Sequence, residues 1–152
     1  MRIVYLHQYF RTPAQGGALR SYYIGQALVR AGHSVTVITA HNKPAYEVRT
    51  IDGLQVHYLP VSYQNHYSPL RRVLAFAQFM WRSYTVAAEQ QNTDLVYATS
   101  TPLSVGVVAL LLKKWKQTPY VFEVRDLWPE APIQLGYIRN KWLIKMLRWL
   151  EK

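Results

Sequence analysis

The residues best equipped for chemistry stand in PYVFEVRDLWPEAP, residues 119–132, where Arg125, Asp126, Trp128 and Glu130 crowd around Pro129. Two carboxylates four positions apart share a face if a helical turn forms there, and Pro129 sets the limits of that turn. On one face, Asp126 and Glu130 would accept hydrogen bonds from sugar hydroxyls as the candidate catalytic pair, while Arg125 steadies a phosphate and Trp128 completes the wall. A plainer reading also fits these residues: an arginine–carboxylate ion pair followed by a helix N-cap.

A second constellation is Gly16-Gly17, with Arg20 three residues on. Paired glycines directly before a helix let backbone N–H groups approach an anion, and the helix N-terminus adds about half a positive charge aimed the same way. Arg20 in the first turn opposes that dipole unless an anion compensates it, so Gly16, Gly17 and Arg20 form a candidate diphosphate site. An ordinary strand-to-helix turn is the competing reading. The spacing is not G-x-G-x-x-G, and the following strand ends in Thr39-Ala40 without an acid to hold a ribose. A nicotinamide or flavin site is therefore disfavoured.

These loops need a scaffold, and the pattern of apolar segments supplies one. With 152 residues, 50% of them hydrophobic, the chain has the material for a single domain over residues 1–152. Arg2–Leu6 reads as a strand, a loop carries the glycine pair, and apolar residues at helical spacing follow until Gly32. Residues 34–40 close a right-handed βαβ unit. Asp52-Gly53 joins Glu47–Ile51 to Leu54–Pro60 as a two-residue hairpin, one segment of which is expected to enter the sheet. Pro69 opens a helix with a predicted buried stripe of Val73, Phe76, Ala77, Met80, Tyr84, Ala87 and Ala88. Residues 94–98 form a strand, 103–116 a nearly all-apolar helix, 120–124 a strand buried on both faces, and 138–152 a last helix. The expectation is an α/β fold: a doubly wound, mainly parallel Rossmann-like sheet in the order 3-2-1-4-5, with helices on both faces. In such sheets ligands sit beyond the carboxyl ends of the strands. His7, Ser100 and Thr101 end strands there and join the candidate sugar-binding set with Arg125 and Trp128.

Charge narrows the partners. A net charge of +10 asks for an anion, whether nucleic acid, a phosphorylated ligand or an acidic membrane surface. Arg71, Arg72 and Arg82 lie beside Phe79 and Trp81 in one helix, and the last helix alternates a basic face with tryptophans; both suit an anionic lipid surface. A solvated charged face over a core stripe is the alternative for either helix. The longest apolar run, 103–112, falls well short of the ~20 residues that cross a bilayer. There are no cysteines, and the five histidines lack metal-ligand spacing. No metal or other cofactor is expected, and a reducing, cytoplasmic setting is the default.

Taken together, GG-ALRSYYIGQALVRAGHSVTVIT, the hairpin TIDGLQVHYLP and the long run YATSTPLSVGVVALLLKKWKQTPYVFEVRDLWPE resemble the N-terminal, acceptor-side half of retaining GT-B glycosyltransferases of the fourth family. The nearest resemblance is to bacterial enzymes that build O-antigen, capsule or other lipid-linked surface sugars. It implies two Rossmann-like domains with the site between them, the C-terminal one holding most of the nucleotide-sugar. On that pattern the chain is an N-terminal fragment, inactive alone. The glycine pair would contact the donor diphosphate, and Arg125, Asp126 and Glu130 would lie near the transferred sugar and acceptor. Many members carry histidine where this chain has Arg125, so that histidine's role is not transferred, and no nucleophile is named.

The resemblance implies a nucleotide-sugar donor, a lipid-linked acceptor and a peripheral position on the inner face of the plasma membrane. Two rivals follow from charge and fold alone. A nucleic-acid-binding module lacks any recognition motif here, so no nucleic acid is expected. A dinucleotide-dependent oxidoreductase lacks its fingerprint.

Overall fold

The computed structural model describes residues 1–100, 102–125, 133, 140–142, 144 and 145. Most of the expected last helix therefore lies outside the described residues. In chain order the elements are β1 (Arg2–Leu6), α1 (Arg20–Arg30), β2 (Ser34–His41), β3 (Glu47–Ile51), β4 (Leu54–Pro60), α2 (Pro69–Glu89), β5 (Leu95–Thr99), α3 (Ser104–Lys116) and β6 (Tyr120–Glu123). They build one sheet in the order β3-β4-β2-β1-β5-β6. All neighbours are parallel except β3 and β4.

The five parallel strands stand in the expected 3-2-1-4-5 order. One correction concerns the hairpin: both of its segments join the sheet, β3 as an antiparallel edge. The turn explains this, since Asp52 (φ 47°) and Gly53 (φ 83°) both take positive φ, the geometry whose twist folds a two-residue hairpin back on its own strand.

Period-two alternation sends the strand side chains to two cores. Tyr5, Val35, Val37, Leu54 and Val56 pack on one face with Tyr22 of α1. Val4, Leu6, Ile38, Val96 and Ala98 pack on the other against Phe79 of α2 and Val105, Val108 and Leu112 of α3. Strands covered on both sides must be apolar almost throughout, which is why these segments read as continuous Val/Ile/Leu runs. Close approach of α3 to β6 rests on Gly106, where a Cβ would come within 3.1 Å of the Phe122 ring.

The predicted stripe of α2 holds in part, since Ala87 is buried, Met80, Tyr84 and Ala88 pack against the core and Phe76 stacks on Tyr63, but the helix is turned away from Val73 and Ala77. Its buried residues are Ala75, Phe79, Ser83 and Ala87, while Val73 is 60% exposed and Ala77 is exposed too. From Val73 to Trp81 every residue except Gln78 is apolar, so periodicity cannot choose the inward face. The sheet and α3 choose it, by closing over Phe79.

Candidate functional site

Because β1, β5 and β6 run parallel side by side, their carboxyl ends open onto one edge. His7, Ser100 and Arg125 follow these ends, and Glu123 closes β6 opposite Thr99. The Thr99 hydroxyl donates to Glu123 Oε2 at 2.8 Å. Arg20, the first residue of α1, donates to Glu123 Oε1 through Nε at 2.8 Å and Nη2 at 2.6 Å. The Ser100 amide donates to the Glu123 carbonyl at 2.8 Å, and the Arg125 amide donates to Ser100 Oγ at 2.8 Å. The start of α1 and the exit from β6 are thus tied together across the ends of β1 and β5. The glycine loop and the exit of β6 open on the same edge.

Electrostatics follow from these contacts. Burial works to raise the Glu123 carboxyl, but the hydrogen bonds from Thr99 and Arg20, with the charges of Arg20 and Arg125, outweigh it and hold the group below its ordinary value. His7 is 2% exposed. Burial first, and then the Arg125 charge, push it down to about 4 against a smaller opposing pull from Glu123. At neutral pH it is an uncharged imidazole, and its Nδ1 has no partner among the described residues.

A 3-10 turn, Pro13–Gln15, precedes the glycine pair, and the Gln15 side chain accepts from the Thr12 amide at 3.0 Å. Gly16 takes φ 67° and ψ −178°, a region essentially reserved for glycine, and Gly17 takes φ 92°. A Cβ at Gly16 would meet nothing within 4 Å, so the backbone and not crowding demands glycine there, and that side stays open to a ligand. Neither a side-chain cap at Leu19 nor an acid in the first turn offsets the N-terminal end of α1. Its partial positive charge is available to an anion.

Asp126, Trp128, Glu130 and Thr101 lie outside the described residues. The basic helix divides. Arg71 lies over the Tyr67 ring at 3.8 Å, Arg72 Nε donates to the Tyr67 carbonyl at 2.9 Å, and Arg82 Nη1 donates to the Pro60 carbonyl at 2.8 Å. Trp81 stands out into solvent. Phe79 does not: it is wholly buried between α2, α3 and the sheet, so its expected membrane contact is corrected to a core role. Glu123 is the member that sequence reasoning passed over. Its signal was present, as the one charge inside an otherwise apolar strand.

Among the described residues, no group of three or more His, Asp or Glu is placed to hold a metal ion, and no helix is long and apolar enough to cross a membrane. The profile of the glycosyl transferase 4-like domain matches residues 15–152. The chain belongs to the glycosyl transferase 4-like family. No curated protein matches it significantly.

Three solved structures share this domain's fold. A sucrose-phosphate synthase from Thermosynechococcus elongatus aligns over 92% of the chain and 36% of its own, with TM-score 0.59 and 13% identity. The catalytic domain of starch synthase IV from Arabidopsis thaliana, bound to ADP and acarbose, aligns over 82% and 34%, with TM-score 0.58 and 16% identity. The C-terminal domain of the PF1911 hydrogenase from Pyrococcus furiosus aligns over 80% and 90%, with TM-score 0.56 and 15% identity. This family member thus shares its fold with part of each of the two synthases and spans about a third of their chains. At such identities the likeness is one of fold, which the hydrogenase domain shares.

Proposed function

We propose that this chain is the acceptor-side half of a retaining glycosyltransferase that moves a sugar from a nucleotide diphosphate donor to a lipid-linked glycan in surface polysaccharide biosynthesis. The observation that carries the reading is the Arg20–Glu123 contact, which joins the glycine loop to the exit of β6 on the carboxyl edge. Backbone N–H groups at Gly16-Gly17 and the start of α1 would face the donor diphosphate, and Arg20 would add a positive charge held in place by Glu123. Asp126 and Glu130 would meet the transferred sugar, with Arg125, Trp128, Ser100 and Thr101 around the acceptor. Neutral His7 would exchange hydrogen bonds with a hydroxyl without taking its proton.

Catalysis on this plan is positioning plus electrostatic stabilisation of the leaving diphosphate, and it assigns no protein nucleophile. A second domain would supply the rest of the donor site. The reaction would run at the inner face of the plasma membrane, on which the protein would lie peripherally. The test supplies the natural full-length protein with UDP-, GDP- and ADP-sugars and a polyprenyl-linked acceptor. Nucleoside diphosphate release that depends on the acceptor is expected, with the donor's anomeric configuration kept in the product. Folded protein that releases no diphosphate from any donor would overturn the reading, and an inverted product would remove its retaining part.

A further inference from the structure

The same edge holds a cleft beside the glycine loop: Gln15 lines it, and Arg11 in its wall comes within 3.9 Å of a Cβ built at Gly17. Gln8 follows β1, Asn42 follows β2 and Tyr63 follows β4, so all three sit beyond strand ends on the β2–β4 side of β1. They line a cavity of about 140 Å³ that adjoins a second hollow of about 510 Å³, and Tyr9, Arg11 and Tyr63 border both. Gln8 is 0% exposed, yet neither its amide nitrogen nor its amide oxygen has a hydrogen-bond partner among the described residues. Buried primary amides are nearly always paired, and this one lines a cavity.

The surrounding walls define what would pair with it. The Tyr9 and Tyr63 rings lie 5.3 Å apart, and Tyr63 stacks on Phe76 at 5.4 Å and 22°. Asn42 Oδ1 accepts from the Tyr63 amide at 3.0 Å and so fixes where that ring stands. Among the described residues, no acidic side chain lines either hollow, while Arg11 borders both. Aromatic faces suit the C–H face of a pyranose, a primary amide can both donate to and accept from adjacent hydroxyls, and an arginine without a lining acid suits a phosphate or carboxylate.

We infer that this cleft is a subsite for an acceptor sugar carrying an anionic group, with Gln8 as its specificity-determining residue. The inference rests on the glycosyltransferase reading for the word acceptor, and on the cleft alone for the ligand's chemistry. The ring packs against Tyr9 and Tyr63, its hydroxyls satisfy the Gln8 amide, and its phosphate or carboxylate meets Arg11. A site that hydrogen-bonds hydroxyls discriminates strongly against analogues lacking them, because its own buried polar atoms are then left unpaired.

Saturation-transfer NMR on the full-length protein tests this with glucosyl, galactosyl and N-acetylglucosaminyl phosphates, glucuronate, methyl glucoside and inorganic phosphate as probes. At least one sugar phosphate or glucuronate should bind through its ring protons, with methyl glucoside at least tenfold weaker and inorganic phosphate unable to displace it. Gln8→Leu should weaken that binding at least tenfold while the protein melts no lower. Gln8→Met serves if the leucine variant does not fold. Arg11→Gln should erase the preference for charged over neutral sugar. Unchanged binding in the Gln8 variants, no binding by any charged sugar, or displacement by inorganic phosphate would each overturn the inference. The outcomes separate cleanly from those of the transfer assay: sugar binding without diphosphate release sinks the enzyme reading and spares the cleft, and the reverse result spares the enzyme.

Discussion

Arg20 and Glu123 are 103 residues apart in the chain and meet through two hydrogen bonds to one carboxylate oxygen. Their exposures differ sharply, with the arginine side chain 62% exposed and the glutamate 12%. That asymmetry assigns the roles. The carboxylate is anchored from below by Thr99, and the guanidinium is carried at the rim, held in position but open to a ligand.

Removing either partner should therefore have unequal effects. Glu123→Ala leaves the fully buried Thr99 hydroxyl without its acceptor, and such an orphaned group costs about 1–3 kcal/mol. Arg20→Ala removes a solvent-screened pair and should lower stability less. Transfer activity should fall in both, because each variant loses the fixed charge at the glycine loop. Urea unfolding of the two variants checks this, and a larger loss of stability for Arg20→Ala would reverse the assignment.

Much of the fold is legible in the sequence, and what is not legible is hidden for physical reasons. Buried strands announce themselves as apolar runs, so the order of the parallel strands followed from the βαβ rule. Glu123 was hidden by the same logic, since a run that is apolar on average masks the one carboxylate whose partner lies 103 positions away. Gln8 carried no signal at all, because an amide becomes informative only when its burial and its missing partners are known. In α2 periodicity places Met80, Tyr84, Ala87 and Ala88 correctly but fails at Val73 and Ala77, where apolar residues surround the helix and only the packing of Phe79 against α3 and the sheet decides the face.

Acid should weaken the fold in two successive, partly overlapping windows. His7 has an ordinary value of 6.5 and is pushed down to about 4 when folded, so between these values the unfolded chain binds a proton that the native state refuses. Stability is unaffected above pH 6.5, declines as the pH falls towards 4, and levels off below, for a total of roughly 3 kcal/mol. Glu123 acts later: its depressed folded value means its contribution is intact above the ordinary 4.5 and is lost only as the pH falls through the folded value. Unfolding curves of His7→Gln from pH 7 to pH 4 should be flatter than those of the parent. An unchanged slope would mean that folding leaves the proton affinity of His7 where it is in the unfolded chain.

Gly16 offers a test of backbone against space. Since a side chain there would touch nothing within 4 Å, an account based on crowding predicts no effect from Gly16→Ala. At φ 67° and ψ −178° the alanine is strained, and a loss of about 1–3 kcal/mol is expected, or else a rearranged loop at similar stability. Either result should reduce donor binding in the full-length protein. A variant with parental stability and parental donor affinity would show that the loop does not use this conformation to meet its ligand.

With Phe79 turned inward, α2 leaves an apolar ridge outside. Leu70, Val73, Leu74, Ala77 and Trp81 recur at helical spacing along its outer face, with Leu70 71% and Trp81 74% exposed. Arg71 flanks the ridge, stacked on Tyr67, whereas Arg72 and Arg82 already donate to backbone carbonyls. An apolar ridge with basic flanks suits a lipid surface by two additive attractions: about 1.5–3 kcal/mol for each large side chain that leaves water fully, and about 1 kcal/mol for each cation near anionic headgroups. The two separate experimentally. Leu74→Asp with Trp81→Ser should abolish co-sedimentation with both neutral and anionic vesicles. Arg71→Glu should instead reduce only the anionic preference, together with its sensitivity to salt. Were the parent protein to leave anionic vesicles untouched at low salt, the ridge would have to serve another surface, and the membrane position proposed for this chain would be withdrawn with it.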